Sequence, residues 1–243
     1  MTTAHLAVML LLSSGVPSPA PVGAPASPPA ASGYEDLDAP LSPRGRENRL
    51  LLAARRGELD VVKALVEGGE RVNPPSGWRT PLIAAALHDQ VAVMEYLLDR
   101  GAQADARDRL GRSALWAALW AEKAAAARLL IARGAAVDVP AKSGETPLFL
   151  AVERGLVDLA RELIARGADV DRPSPGVLLV GYRPLHRAAM MGRLDVLRLL
   201  LEHGADPQAE TPQGQTAADL AQGPQADAIR ALLKSPPRPA PRR

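Results

Sequence analysis

Gly69, Gly101, Gly134, Gly167 and Gly204 each close a leucine-rich run, at spacings of 32, 33, 33 and 37 residues. Alanine follows four of the five. A second marker keeps the same beat: Thr80-Pro81-Leu82, Ser113-Ala114-Leu115, Thr146-Pro147-Leu148, Arg183-Pro184-Leu185 and Thr216-Ala217-Ala218. In the four units that carry both markers, the first residue of the triplet precedes the glycine by 21 positions. A chain held in that register is a row of similar units stacked one upon the next, not one core assembled from unlike elements.

Each unit reads as two short helices. In the unit that starts at Thr146, the hydroxyl is placed to cap the first helix, and Pro147 at its first position gives up no needed hydrogen bond. Leu148 and Ala151 lie on one face, and Gly155 ends the helix, because glycine readily takes the left-handed conformation there. Leu159, Leu163 and Ile164 mark a second helix, which Gly167 ends. About nine residues per helix are too few to hold alone. Each pair must therefore bury a face against its neighbours. Two columns of residues are suited to that. Five positions after each cap stands Ala53, Ala85, Ala118, Ala151, Ala188 and Ala221; seventeen after it stands Leu65, Leu97, Leu130, Leu163, Leu200 and Leu233.

Composition agrees with an all-α reading. Hydrophobic residues make up 47% of the chain, enough for a core, but aromatics only 3%, which is poor material for a sandwich or barrel. The net charge of +2, from 29 basic and 27 acidic residues, provides no large basic field for nucleic acid. The absence of cysteine excludes disulfides, thiolate metal sites and a lipoprotein anchor, and says nothing about compartment.

The period of 33, the segments Thr80-Pro-Leu-Ile-Ala-Ala-Ala86, Thr146-Pro-Leu-Phe-Leu-Ala151 and Arg183-Pro-Leu-His-Arg-Ala-Ala189, and the endings Gly167-Ala-Asp-Val-Asp171 and Gly204-Ala-Asp206 resemble the ankyrin repeat. The resemblance implies an all-α, ankyrin-type helical-repeat solenoid of six units over about 47–234, with short hairpin-like turns between helix pairs. Four features depart from the pattern, one being the third unit, which has Trp116 where the motif has His and Leu119 where it prefers Ala. The first unit lacks Thr-Pro and begins with charges, as a polar cap should. The last unit has Ala217 and a polar Asp219 and is read as the other cap, with its second helix at Ala226–Lys234. The fifth unit follows a connection four residues longer, Arg172–Tyr182.

Outside the repeats, residues 1–26 contain the apolar run Leu6–Leu12 and then Ala24-Pro25-Ala26, whose small residues sit where a signal peptidase reads. Residues 27–46 are a Pro/Ala-rich linker, and 235–243 a disordered Pro/Arg tail. Seven apolar residues fall far short of the ~20 that span a bilayer, so no transmembrane segment is expected. Two readings of the leader stay open. As a signal peptide it sends the protein to the periplasm or outside the cell; as a plain disordered leader it leaves the protein in the cytoplasm.

Chemistry is sparse. None of His5, His88, His186 and His203 pairs with another at metal-ligand spacing, and no phosphate loop, nucleophile elbow or dinucleotide fingerprint occurs. His186 stands at the His of the repeat motif, where a structural hydrogen bond is expected. No catalysis, cofactor or small-molecule substrate is expected. The resemblance implies a monomeric module that binds a protein partner through the concave face and hairpin tips of the stack. Carried over residue by residue, the tips offer Trp78, Arg79, Arg109, Leu110, Arg112, Lys142, Glu145 and Tyr182, with Leu178-Leu179-Val180 on the longer finger. The ends of the first helices offer Leu87, His88, Trp120, Ala121, Glu153, Arg154, Met190 and Met191. Trp120 and Tyr182 are expected to flank the centre of the contact surface, with Arg112 and Arg154 at its rim. In the competing arrangement Trp120 folds back against Trp116. The alternative function is a nucleic-acid-associated regulator that uses the Arg107/Arg109/Arg112 tip, with Asp105 and Asp108 set among those cations.

Overall fold

The computed structural model describes residues 49–75, 79–175 and 180–237. The leader, the linker, Trp78, Leu178, Leu179 and the last six residues of the tail lie outside the described residues.

Six helix pairs follow one another: α1 (Arg49–Arg56) with α2 (Leu59–Glu67), α3 (Pro81–Leu87) with α4 (Val91–Asp99), α5 (Ala114–Trp120) with α6 (Ala124–Ala132), α7 (Pro147–Arg154) with α8 (Val157–Ala165), α9 (Pro184–Met190) with α10 (Leu194–Glu202), and α11 (Ala217–Leu220) with α12 (Ala226–Lys234). The second helices are all nine residues long. The first helices are shorter than expected, at seven or eight residues, and α11 has only four. Each first helix packs on the first helices before and after it, and each second helix on its own counterparts, so the repeats form two parallel layers. No strand occurs among the described residues; Glu210 and Thr216 make one isolated bridge.

The caps are those the sequence specifies. Thr80, Ser113 and Thr146 hydroxyls accept the backbone N–H of Ile83, Trp116 and Phe149 at 3.1, 3.2 and 3.1 Å. Thr216 accepts from Asp219 at 3.4 Å, and the Asp219 carboxylate returns the bond to the Thr216 N–H at 2.9 Å. Gly155 ends α7 with φ of 70°. At the same repeat position Asp89 and Glu122 also adopt left-handed backbone, each at φ 56°. That is a strained choice for residues with a Cβ. Asp89 has a compensating bond: its carboxylate accepts the Ala126 N–H at 2.9 Å, capping the second helix of the following pair.

Both columns are core. All six alanines of the first column are at most 3% exposed, which lets neighbouring helices approach closely. Leu97, Leu130, Leu163 and Leu200 have no exposed surface, and Leu233 has 3%. Leu65 in α2 is only half-buried, because α2 has a second-helix neighbour on one side alone.

The connections between pairs turn through short hairpins. The backbone N–H of Asp108, Ala141 and Thr211 donates to the carbonyl of Arg112, Glu145 and Gln215, four residues on. In the long connection the same closure joins Ser174 to Tyr182 at 2.7 Å, eight residues apart. The helix register of the flanking repeats is intact on either side of this longer connection.

Candidate partner-binding surface

The third tip shows how local charge decides what a finger presents. The Asp108 carboxylate accepts the backbone N–H of Leu110 at 2.9 Å and of Arg112 at 3.0 Å. Its other oxygen meets Arg112 Nε at 2.8 Å and Nη2 at 2.7 Å. The pair is buried, with side chains 7% and 6% exposed for Arg112 and Asp108. Arg112 is thus not a rim residue. Its guanidinium is neutralised inside the turn and lies 5.6 Å from the centre of the Trp116 ring. Arg79, expected at the second tip, is also buried, at 6% exposed. Arg107 donates to the carbonyls of Gly111 and Pro140, bracing this finger against the next. The Arg107/Arg109/Arg112 set therefore does not come together as one open basic tip.

What these tips do present is Arg109, Leu110 and Lys142. Leu110 is 44% exposed, while its carbonyl accepts the Lys142 N–H at 2.9 Å. Glu145 is half-buried and accepts the Ser143 hydroxyl. Val180, on the longer finger, is 53% exposed. Tyr182 is half-buried, its ring meeting His186 edge-on at 5.9 Å.

At the helix ends, Leu87 is buried and His88 exposed. Trp120 stacks on Trp116 with ring centres 6.3 Å apart and planes 8° from parallel. The Arg154 guanidinium sits 5.6 Å from the centre of the Trp120 ring, and Arg154 Nη1 reaches Glu122 at 3.4 Å. Asp108, Arg112, Trp116, Trp120, Arg154 and Glu122 thus form one continuous stack across the third and fourth pairs. The fold-back of Trp120 onto Trp116 is the arrangement adopted, and Trp120 is half-buried. One pair further along, Arg187 meets Glu153 at 3.2 Å. Met190 is half-buried, and Met191 is 37% exposed.

The sequence signal for the stack is the spacing of four between Asp108, Arg112, Trp116 and Trp120. It is easily missed because it begins in a turn, where helical spacing carries no weight, and because Arg154 and Glu122 join it from outside that run.

His186 is fully buried. Its Nδ1 accepts the Arg183 N–H at 3.0 Å, and Nε2 lies 2.8 Å from the Ala209 carbonyl. Burial pushes its pKa below the ordinary 6.5, with the Arg183 charge adding to the shift. Among the described residues no three His, Asp or Glu side chains are grouped to hold a metal ion.

The family model described as ankyrin repeats (3 copies) matches residues 34–108, 102–174 and 121–211. The chain belongs to the ankyrin-repeat family. Among solved structures, it is similar to an ankyrin-repeat domain from Acinetobacter baumannii AYE, at 25% identity and a TM-score of 0.68, over 76% of this chain and 95% of that one. It is also similar to the human ASB11 ankyrin-repeat domain, at 26% identity and a TM-score of 0.59, over 77% and 98%. No curated protein matches the chain. Ankyrin repeats are generally protein–protein interaction modules and are typically non-catalytic. In this ankyrin-repeat chain a hairpin tip carries Tyr182, and the ends of the first helices, whose alanine column is buried, carry Trp120, Met190 and Met191. No helix among the described residues is long and apolar enough to cross a membrane.

Proposed function

We propose that this ankyrin-repeat protein is a non-catalytic module that captures a partner protein with its hairpin tips and the ends of its first helices, from the third to the fifth pair. The observation that carries the reading is the set of apolar side chains left open on those elements: Leu110 at 44%, Val180 at 53% and Met191 at 37% exposed. The same tips and helix ends carry the half-buried Trp120, Tyr182 and Met190. Apolar and aromatic groups held on a rigid backbone lose little entropy on binding and suit the centre of an interface. Arg109, Lys142 and Glu145 supply a polar rim.

Leu110→Glu and Met191→Glu test this, because both side chains already face solvent and the change should not disturb the core. Partner proteins captured by the wild-type chain from its native source should be lost at least tenfold from the double variant, about 1.4 kcal/mol, with the thermal melt within a few degrees. Unchanged capture refutes the surface. Capture of nucleic acid instead, falling steeply as salt rises, would favour the regulator reading. We further propose export, supported by Leu6–Leu12 and Ala24-Pro25-Ala26. A native protein whose intact mass begins near Ser27 supports it, and an intact cytoplasmic chain refutes it.

A further inference from the structure

The junction between the fifth and sixth helix pairs is unlike the others. An Nδ1 that accepts a backbone N–H carries no proton, so the proton of the His186 ring is on Nε2 and is donated to Ala209. One neutral ring thus caps α9 and ties it to the segment leading into the last pair. The same position holds Ile83, Trp116 and Phe149 in the preceding repeats, none of which can accept and donate in this way. The last pair is also lightly built. Its α11 is a single turn, and α12 buries only Ile229 and Leu233, against five residues for α10. Two further polar contacts lie near this junction: the Gln222 N–H reaches the Ala189 carbonyl only at 3.5 Å, and the Asp206 N–H, in the connection to the last pair, meets the Asp171 carboxylate of the preceding connection at 3.2 Å.

We propose that this junction is an acid-sensitive latch: protonation of His186 undocks the C-terminal helix pair while the first five pairs stay stacked. An imidazolium carries N–H on both nitrogens, so Nδ1–H would face the Arg183 N–H, donor against donor, and a cation would be sealed in a dry site. Undocking exposes the ring and relieves both.

The bond to the Ala209 carbonyl favours the charged ring, but burial outweighs it, and the surrounding charges do not reverse this. On its own helix, Arg183 disfavours the charged ring, and Arg187 is paired with Glu153 of α7. Asp171 favours the charged ring but is itself 3.5 Å from Arg183. From the last pair, Asp219 is engaged with Thr216, Arg230 with Asp227 and the carbonyls of Ala218 and Ala221, and Glu210 beside Ala209 is exposed. Tyr182 offers only its ring edge. The site therefore binds its proton more weakly folded than unfolded, so its stabilisation is complete above about pH 6.5 and is lost as pH falls below that value.

Hydrogen exchange on the full-length chain tests the latch, read as protection factors corrected for intrinsic exchange. Between pH 7.5 and 5.5 the amides of α12 should lose up to about tenfold in protection, the limit one site with an undocked pKa of 6.5 can supply, while those of α5 and α6 hold theirs. His186→Gln, an uncharged residue with a donor and an acceptor, and His186→Phe, which reproduces the Phe149 of the preceding repeat, should each abolish the pH dependence. His203→Gln should leave it in place. Equal loss along the whole stack, or the same loss in both His186 variants, overturns the proposal. Should the variants fail to fold, nitrogen-15 NMR of the wild-type ring beside the α12 amides still decides: a ring that gains its second proton only in a form whose α12 amides are unprotected supports the latch, and a ring that becomes charged while α12 stays protected overturns it.

Discussion

Leu163→Ala measures what the stack is made of. Leu163 has no exposed surface; it belongs to α8, which packs against α6, α10 and its own partner α7. The substitution removes three carbons, about 2.4 kcal/mol of transfer free energy at roughly 0.8 per carbon. The cavity left behind cannot close, since Leu130 and Leu200 above and below it are equally buried and held by their own repeats. A residual void of about 60 Å³ adds ~1.5 kcal/mol. The expected loss is therefore about 4 kcal/mol, near the upper part of the usual range for such a change. Leu65→Ala makes the same chemical change in the same column at the open end of the stack, where Leu65 is half-buried and the chain is free to relax. Its loss should be about 1–2 kcal/mol, from the smaller burial. Urea unfolding followed by far-UV circular dichroism gives both values. Equal losses would refute the argument that neighbours on both sides set the energy. A loss below ~0.5 kcal/mol for Leu163→Ala would place it on the surface.

Arg112→Ala should cost about 3–5 kcal/mol, because it leaves the Asp108 carboxylate buried without its partner; a change within ~0.5 kcal/mol in denaturant melts would show the pair to be solvated. Glu122→Gly should raise stability by about 0.5 kcal/mol, since relief of the left-handed backbone exceeds the value of its exposed contact with Arg154; a lower melting temperature refutes it. Hydrogen bonds from the Thr216 backbone and hydroxyl hold the Asp219 carboxyl below its ordinary 3.8, so its contribution is present above that pH and lost as pH falls below it. Asp219→Asn should flatten that lowest part of the acid limb, well below the window of His186, and an unchanged acid limb would refute the assignment.

The stack and its caps are legible in the sequence because each rests on neighbours close along the chain. A hydroxyl three residues before an N–H, a proline at a first helical position and a glycine past a helix end act within one turn, and five or six copies confirm one another. The Arg112 and Trp120 side chains are not legible in this way. The residue types at the tips are the same whether a side chain reaches a partner protein or its own turn. Arginine at a tip is ordinarily solvated, which by type alone puts Arg112 at the rim; Asp108 four positions earlier reverses that. Trp120 has the character of an interface anchor, but the Trp116 ring beneath it, with Arg154 arriving from the next repeat, turns much of its surface inward.

By itself, then, the sequence determined the repeat, its register, the two core columns and the family, since a period of 33 residues leaves each helix pair only one way to bury its face. The tertiary structure alone decided which polar and aromatic side chains at the tips are spent inside the stack and which remain open. Those choices depend on where side chains meet in space, as when Trp120 meets Arg154, 34 positions on, and His186 meets Ala209, 23 positions on. In such pairs distance and angle, not residue type, set whether a charge is buried, paired or free.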